Sequence, residues 1–519
     1  MTSRRRSAPV LLATAVLATA PSPTIDGSRP PPSIAITAPR EGAVFPRDLA
    51  PPTFRWEDTR GASYWRVTIE IQGEAQGVTY VCEKREWRPE AEAWQRIKAR
   101  SVGRTARLLV QRIESERGEA LEPGASISFQ TSPDPVGAPI FYREVPLPVA
   151  FAMDHKPLIR WRLGDVSSAD PPRTVLAGMQ TCANCHSFSS DGRTLAMDID
   201  FASDKGAYAI ATVAPTVEIG RPEMMSWGEY QRGDGESTFG FLSTISPDGR
   251  HVVSTVKETI FLKFMSDPYC SQLFFPTRGV LVSYERSSSR FQALSGADSP
   301  DLVQTNPAFS PDGRWLLFAR ARAPEIPRHG SVIEPDVISA IAPGFIDGKR
   351  KICFDLFRIP FNGGKGGVPE RVLGAADNGR SNFFARYSPD GRWIVFCQAT
   401  SMMLNRPDST LFIVPSEGGV ARRLTCNAPG RMNSWHSFSL NGRWLVYASK
   451  ATGPLTQLWL THIDAMGQDT IPVQLEGWVD LDRAANLPEF VNLSPGALRQ
   501  ITVAPEIRDS TPSLPRRPN

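Results

Sequence analysis

The sequence predicts an all-β chain in two parts, a β-sandwich followed by a β-propeller, on three observations. A hairpin unit recurs five times: "HSFSSDGRTLAMD" (186–198), "STISPDGRHVVST" (243–255), "PAFSPDGRWLLFA" (307–319), "ARYSPDGRWIVFC" (385–397) and "HSFSLNGRWLVYA" (436–448). Each unit is trailed by a further apolar segment and a polar or glycine-rich loop, as in "STLFIVPSEGG". Residues 31–135 have a different texture, short alternating runs between proline-rich edges. Asp-Gly or Asn-Gly between apolar, β-branched and aromatic runs is a strong hairpin signal, because glycine takes the positive φ that the turn demands. A hairpin plus one or two more strands is one propeller blade, which buries its faces only against neighbouring blades.

In chain order, "MTSRRRSAPVLLATAVLATAPS" carries three arginines, an apolar run from Ala8 to Ala20 and a small-residue "ATA". That is the form of a secretory signal peptide over residues 1–20, and it predicts a periplasmic protein. Removing it takes away three of the 58 basic residues against 54 acids. A net charge of about +1 remains, so no nucleic-acid partner is expected. No other segment is long and apolar enough for a transmembrane span.

Residues 31–135 contain "TFRWED", with Trp56 in a short strand, then "SYWRVTIEIQG" and "ASISFQTS". These runs predict a fibronectin-type or immunoglobulin-like sandwich, with "PEAEAWQRIKARS" as an inserted helix. Residues 136–179 connect the two parts and are candidates for extra propeller strands. The propeller covers 180–480, with turn glycines Gly192, Gly249, Gly313, Gly391 and Gly442 spaced by 57, 64, 78 and 51 residues. A sixth blade is expected from segments 137–175 and the C-terminal strands, with 481–506 closing the chain. The proline-rich polar tail 507–519 is expected to be disordered.

The unit "FSPDGRWLLFA" resembles the propeller repeat of the TolB family, over about residues 180–480. The stretch "MNSWHSFSLNGRWLVYASK", with "LTHID" and "AANLPEFVN" after it, resembles exported TolB-like propellers that also carry a "CxNCHSFS" segment. That resemblance implies a fold and no particular activity.

Cys182, Cys185 and His186 spell C-x-x-C-H, the attachment sequence of a c-type haem. Two thiols three residues apart can each form a thioether to a porphyrin vinyl group, and the next residue's imidazole then lies close to the iron. The motif predicts one covalent haem c. C-x-x-C alone would arise by chance ~0.1 times in such a chain, and His186 also belongs to the repeat. A structural disulfide or a metal site with further ligands is the rival reading. Met197 is excluded as the second axial ligand: a two-residue Asp191–Gly192 turn pairs it directly with His186, on the same face and ~5 Å away, whereas trans ligands approach iron from opposite sides. His436 occupies the equivalent position in another blade and is the candidate distal or metal ligand if the first and last blades adjoin. Its alternative role is a hydrogen-bonded blade-core histidine. Met432 is a weaker candidate, and Met179 is too close in sequence.

Other motifs carry less. Asp234 and Glu236 in "YQRGDGESTFG" lack calcium-loop spacing and read as a polar turn. Trp315, Trp393 and Trp444 are equivalent across units and read as core, and "NGGKGG" (362–367) reads as a hairpin loop. No G-x-S-x-G elbow is present. Five cysteines outside the motif (Cys82, Cys270, Cys353, Cys397, Cys426) leave at least one thiol unpaired. The expected function is electron transfer or redox sensing with a redox or envelope protein partner. The alternative is a non-catalytic interaction propeller whose cysteine pair is a disulfide or metal site.

Overall fold

In the sandwich, alternation of buried and exposed residues decides which face each strand turns inward. Phe54–Asp58 buries Phe54, Trp56 and Asp58, and Tyr64–Ile71 buries Trp65, Val67, Ile69 and Ile71. The structure is a computed structural model that describes residues 33–121, 124–181, 183–201, 204–231, 236 and 238–508. The expected signal segment 1–20, Cys182, Asp234 and residues 509–519 lie outside the described residues. One sheet holds Ile34–Ala38, Phe54–Asp58 and Glu86–Trp87. The other runs Ala43–Phe45, Ala125–Thr131, Ala106–Ile113, Tyr64–Ile71, Val78–Cys82.

Phe45, Phe54, Trp94 and Phe129 meet in the sandwich core, with Phe45 and Trp94 edge to face at 5.2 Å. Each fully buried ring of this kind contributes about 2–3 kcal/mol. Trp94 comes from the helix Ala91–Arg100, and its Nε1 donates to Leu49 O at 2.9 Å. The buried Asp58 is paired with Arg112 (2.7 Å) and accepts from Trp65 Nε1 (3.0 Å), so its charge is not left unpartnered.

After the sandwich come six four-stranded antiparallel blades. The innermost strands are Ala183–Phe188, Phe241–Ile245, Leu302–Phe309, Ser381–Tyr387, Asn433–Phe438 and Arg483–Phe490, for blades 1 to 6. All six line one central cavity, which makes the arrangement a closed propeller. The sixth blade joins distant parts of the chain. Arg483–Phe490 pairs antiparallel with Ile140–Pro146, which continues outward to Arg160–Gly164 and Arg173–Leu176. The ring therefore takes in 140–176 and 483–490, from the segments expected to supply a sixth blade, together with the repeats of 180–480.

The repeated turn has a local cause. In blade 4, Ser388 Oγ donates to Asp390 Oδ1 (2.5 Å) and accepts from Trp393 N (3.0 Å). Asp390 Oδ1 also accepts from Arg392 N (3.1 Å), and Gly391 N reaches back to Ser388 O at φ 70°. The same set recurs at Ser189, Ser246, Ser310 and Ser439. Serine and Asp/Asn thus close a four-residue loop, longer than the two-residue turn expected, while the His186–Met197 pairing across it is retained.

The long glycine intervals are insertions. Blade 2 extends two strands to 14 residues each, His251–Phe264 and Gln272–Glu285. Blade 3 inserts the helix Pro335–Ile346, whose Phe345 packs on Phe261 and Phe275. Trp444 is fully buried, but Trp315 and Trp393 are half-buried under Arg358 and Arg422. The core role expected for all three holds fully for Trp444 alone. "NGGKGG" does connect two hairpin strands, Asp355–Pro360 and Glu370–Arg371. At the C-terminal end the described chain corrects the expected tail start. Ile507 is fully buried and Arg508 O accepts from Gln180 N (3.0 Å), so these two residues belong to the folded part.

Candidate functional site: the channel and its waist

Every inner strand carries an irregularity at the same place. The register slips between Ala183 and His186, Phe241 and Thr244, Thr305 and Ala308, Phe383 and Arg386, Ser434 and His436, and Asn486 and Glu489. In five of the six a non-glycine residue takes positive φ: Leu242 (59°), Asn306 (56°), Phe384 (51°), Trp435 (40°) and Leu487 (54°). Cys185 stands at the corresponding place in blade 1, counting back from the turn serine. Such bulges re-aim side chains, and each strained residue costs of order 1 kcal/mol.

The bulges form a waist. Cys185, Leu242, Trp435 and Leu487 line both a polar chamber of about 550 Å³ and a second cavity of about 210 Å³. The second cavity is an apolar cup walled by Val145, Leu147, Met153, Phe241, Phe264, Phe274 and Leu404, with Arg143 and Lys450 also on its lining. Phe151, Met153, Leu262 and Phe264 remain exposed despite their size.

Below the waist, side chains bridge the seams between blades. Ser187 Oγ accepts from Ile245 N (3.0 Å), Ser437 Oγ from Phe490 N (3.1 Å), and Glu489 Oε1 from Phe188 N (3.0 Å). Asn306 Oδ1 accepts from Phe384 N at 2.6 Å. In blade 4 the position of Ser187 and Ser437 is held by Arg386, which has no acceptor and cannot make this seam bond. Its side chain lines the polar chamber, donates to Ala385 O (3.2 Å), and forms no ion pair among the described residues. Burial holds its pKa below the usual guanidinium value, with Glu489 the main charge acting the other way. Burial also pushes the Glu489 carboxyl up to about 7, against the Phe188 N–H bond and Arg386.

The expected site residues separate. Cys182 lies outside the described residues. Cys185 is a free, buried thiol at the waist, its pKa pushed far up by burial and by Asp198. Asp198 Oδ2 accepts from Cys185 N (3.0 Å), and burial raises this carboxyl to about 8. His186 lies in the polar chamber, edge-on to Phe141 at 4.6 Å, with Nε2 3.8 Å from Glu489 Oε2. Its side chain is 1% exposed, its Nδ1 has no partner, and burial lowers its pKa to about 3.

His436 is the blade-core histidine of the alternative reading. Its Nε2 donates to Val395 O (2.9 Å) and its Nδ1 lies 4.0 Å from Cys397 Sγ. Blade 6 stands between blades 1 and 5, so the ring does not bring His436 beside His186, and the expected axial or metal pairing is corrected. Met197, Met179 and Met432 are all buried core residues. No cluster of three or more His, Cys, Asp or Glu able to hold a metal occurs among the described residues. Glu236 forms an ion pair with Arg278 (2.5 Å). Cys82, Cys270, Cys353, Cys397 and Cys426 are all free.

Cys185 is on the wall of the apolar cup, which at about 210 Å³ has room for one edge of a porphyrin and not for the whole ring. The imidazole position does not fit the axial role, because His186 turns into the other chamber. Sequence reasoning passed over Arg386, Glu489 and Asn306. The available signal was a charged residue in "ARYSPDGR" where the other units carry Ser, Thr or Ala.

No family model matches the chain. An uncharacterised protein of Agrobacterium fabrum, Atu1656, is 25% identical over 193 residues, 33% of this chain. The chain spans 59% of that relative's length. Among solved structures, a protein of Agrobacterium tumefaciens assigned as TolB aligns at 14% identity and TM-score 0.36, covering 69% of this chain and all of that one. The periplasmic gluconolactonase of Pseudomonas aeruginosa aligns at 13% identity and TM-score 0.34, covering 82% and 99%.

Proposed function

We propose that this chain is an exported binding propeller whose Cys182 and Cys185 tether one c-type haem with an edge in the apolar cup, for electron transfer or redox sensing with an envelope partner. The observation that carries the reading is the place of Cys185, on the waist and on the wall of that cup. A haem there would supply one-electron chemistry. Cys185, with the thiol of Cys182, would hold it; Phe241, Phe274 and Leu404 would give it apolar contact, and Lys450 would set a positive charge near a carboxylate group. Burial lowers the Lys450 ammonium to about 8, so it remains largely charged near neutrality. His186 takes no part from its described position.

A second reading is favoured by that same histidine: a cofactor-free interaction propeller in which His186 belongs to the polar chamber. The variant Cys182→Ala/Cys185→Ala separates the two. Under the haem reading it abolishes a Soret band present in the wild-type chain. Under the second there is no band to lose.

A further inference from the structure

The polar chamber has a surplus of hydrogen-bond donors. Arg386 projects there without a carboxylate at ion-pair distance among the described residues. Asn306, also on the lining, commits its oxygen to Phe384 N, so its side chain has its amide N–H groups left to offer a ligand. Ser437 likewise accepts from Phe490 N and keeps its hydroxyl proton. The carboxylate on this lining is Glu489, and one of its oxygens is held by Phe188 N. A guanidinium drawn partly out of water without an anion beside it is costly. A cavity of about 550 Å³ is in the range that takes small molecules.

We infer that the polar chamber is a binding site for a small organic carboxylate, with Arg386 as its anchor and Asn306 and Ser437 as further donors. A carboxylate matches the planar guanidinium in a two-bond geometry. Phosphate suits the chamber less well, because its second charge meets Glu489. This site is independent of any haem in the cup, and it differs from the proposed cofactor in ligand and in residues.

The test is isothermal titration of the full-length exported chain with acetate, succinate and benzoate, and with inorganic phosphate. At least one carboxylate is expected to bind saturably and more tightly than phosphate. Arg386→Gln is expected to weaken it at least tenfold, with Arg386→Lys intermediate. Glu489→Gln keeps an acceptor oxygen for Phe188 N, removes the competing charge, and is expected to tighten binding several-fold. The opposite signs separate binding from misfolding, since a damaged fold weakens both. No carboxylate binding at millimolar concentration, equal binding of phosphate, or indifference to both Arg386→Gln and Glu489→Gln would overturn the proposal.

Discussion

At the scale of single residues, Glu489 does two jobs that compete. Its Oε1 closes the seam between blades 6 and 1, and its Oε2 faces His186. Burial raises its folded pKa to about 7 from 4.5. A raised folded pKa means the contribution to stability is fully present below the unfolded pKa and is lost as pH rises through the folded one. Glu489→Gln mimics the protonated acid. The variant is therefore expected to match the wild type near pH 4 and to become the more stable of the two as pH rises toward 8, by up to about 3 kcal/mol. Denaturant unfolding of both chains across that range measures the gap. The buried neutral imidazoles of His186 and His436 are present in both proteins, so their opposite pH dependence largely cancels in the comparison. A gap that stays constant or closes with rising pH contradicts this account of the seam.

At the scale of elements, the turn unit was legible because its causes lie within six residues. Serine, Asp or Asn, glycine and the residue after arginine make the same contacts in all five hairpins. Ser388→Ala removes a donor to Asp390 and an acceptor for Trp393 N. It is expected to cost about 1–2 kcal/mol, and to be non-additive with Asp390→Ala because the two share one loop. Thermal unfolding of the single and double variants checks this. The bulges were not legible. Their positive-φ positions are held by Leu, Phe and Trp as well as Asn, whereas glycine is the residue that signals this conformation. What puts these side chains there is the packing of six strands around one axis, which no single unit contains.

At the scale of the whole molecule, ring closure decides where the site residues meet. The fold class and the sixth blade could be anticipated from apolar segments at both ends of the repeats. The placing of His436 depended on which blades adjoin, and the pairing of Arg483–Phe490 with Ile140–Pro146 inserts a blade between the two histidines. The sandwich is docked by His462–Asp134 (2.8 Å), Arg55–Glu476 (2.6 Å) and Trp444 Nε1 donating to Asp134 O (3.1 Å). Truncation after Asp480 removes the closing strand and leaves the Ile140–Pro146 edge unpaired in mid-ring. That chain is expected to lose cooperative unfolding and to aggregate. A chain ending at Arg508 is expected to unfold like the full-length protein, by calorimetry.

The haem proposed for Cys182 and Cys185 has one decisive test. That test is a reduced pyridine haemochrome spectrum of the purified, denatured chain, expressed with residues 1–20 in a host that matures c-type cytochromes. The account predicts a c-type α-band at one haem per chain, lost in Cys182→Ala/Cys185→Ala and retained in His436→Ala. A chain without covalent haem, from a host that matures a control cytochrome, would contradict it.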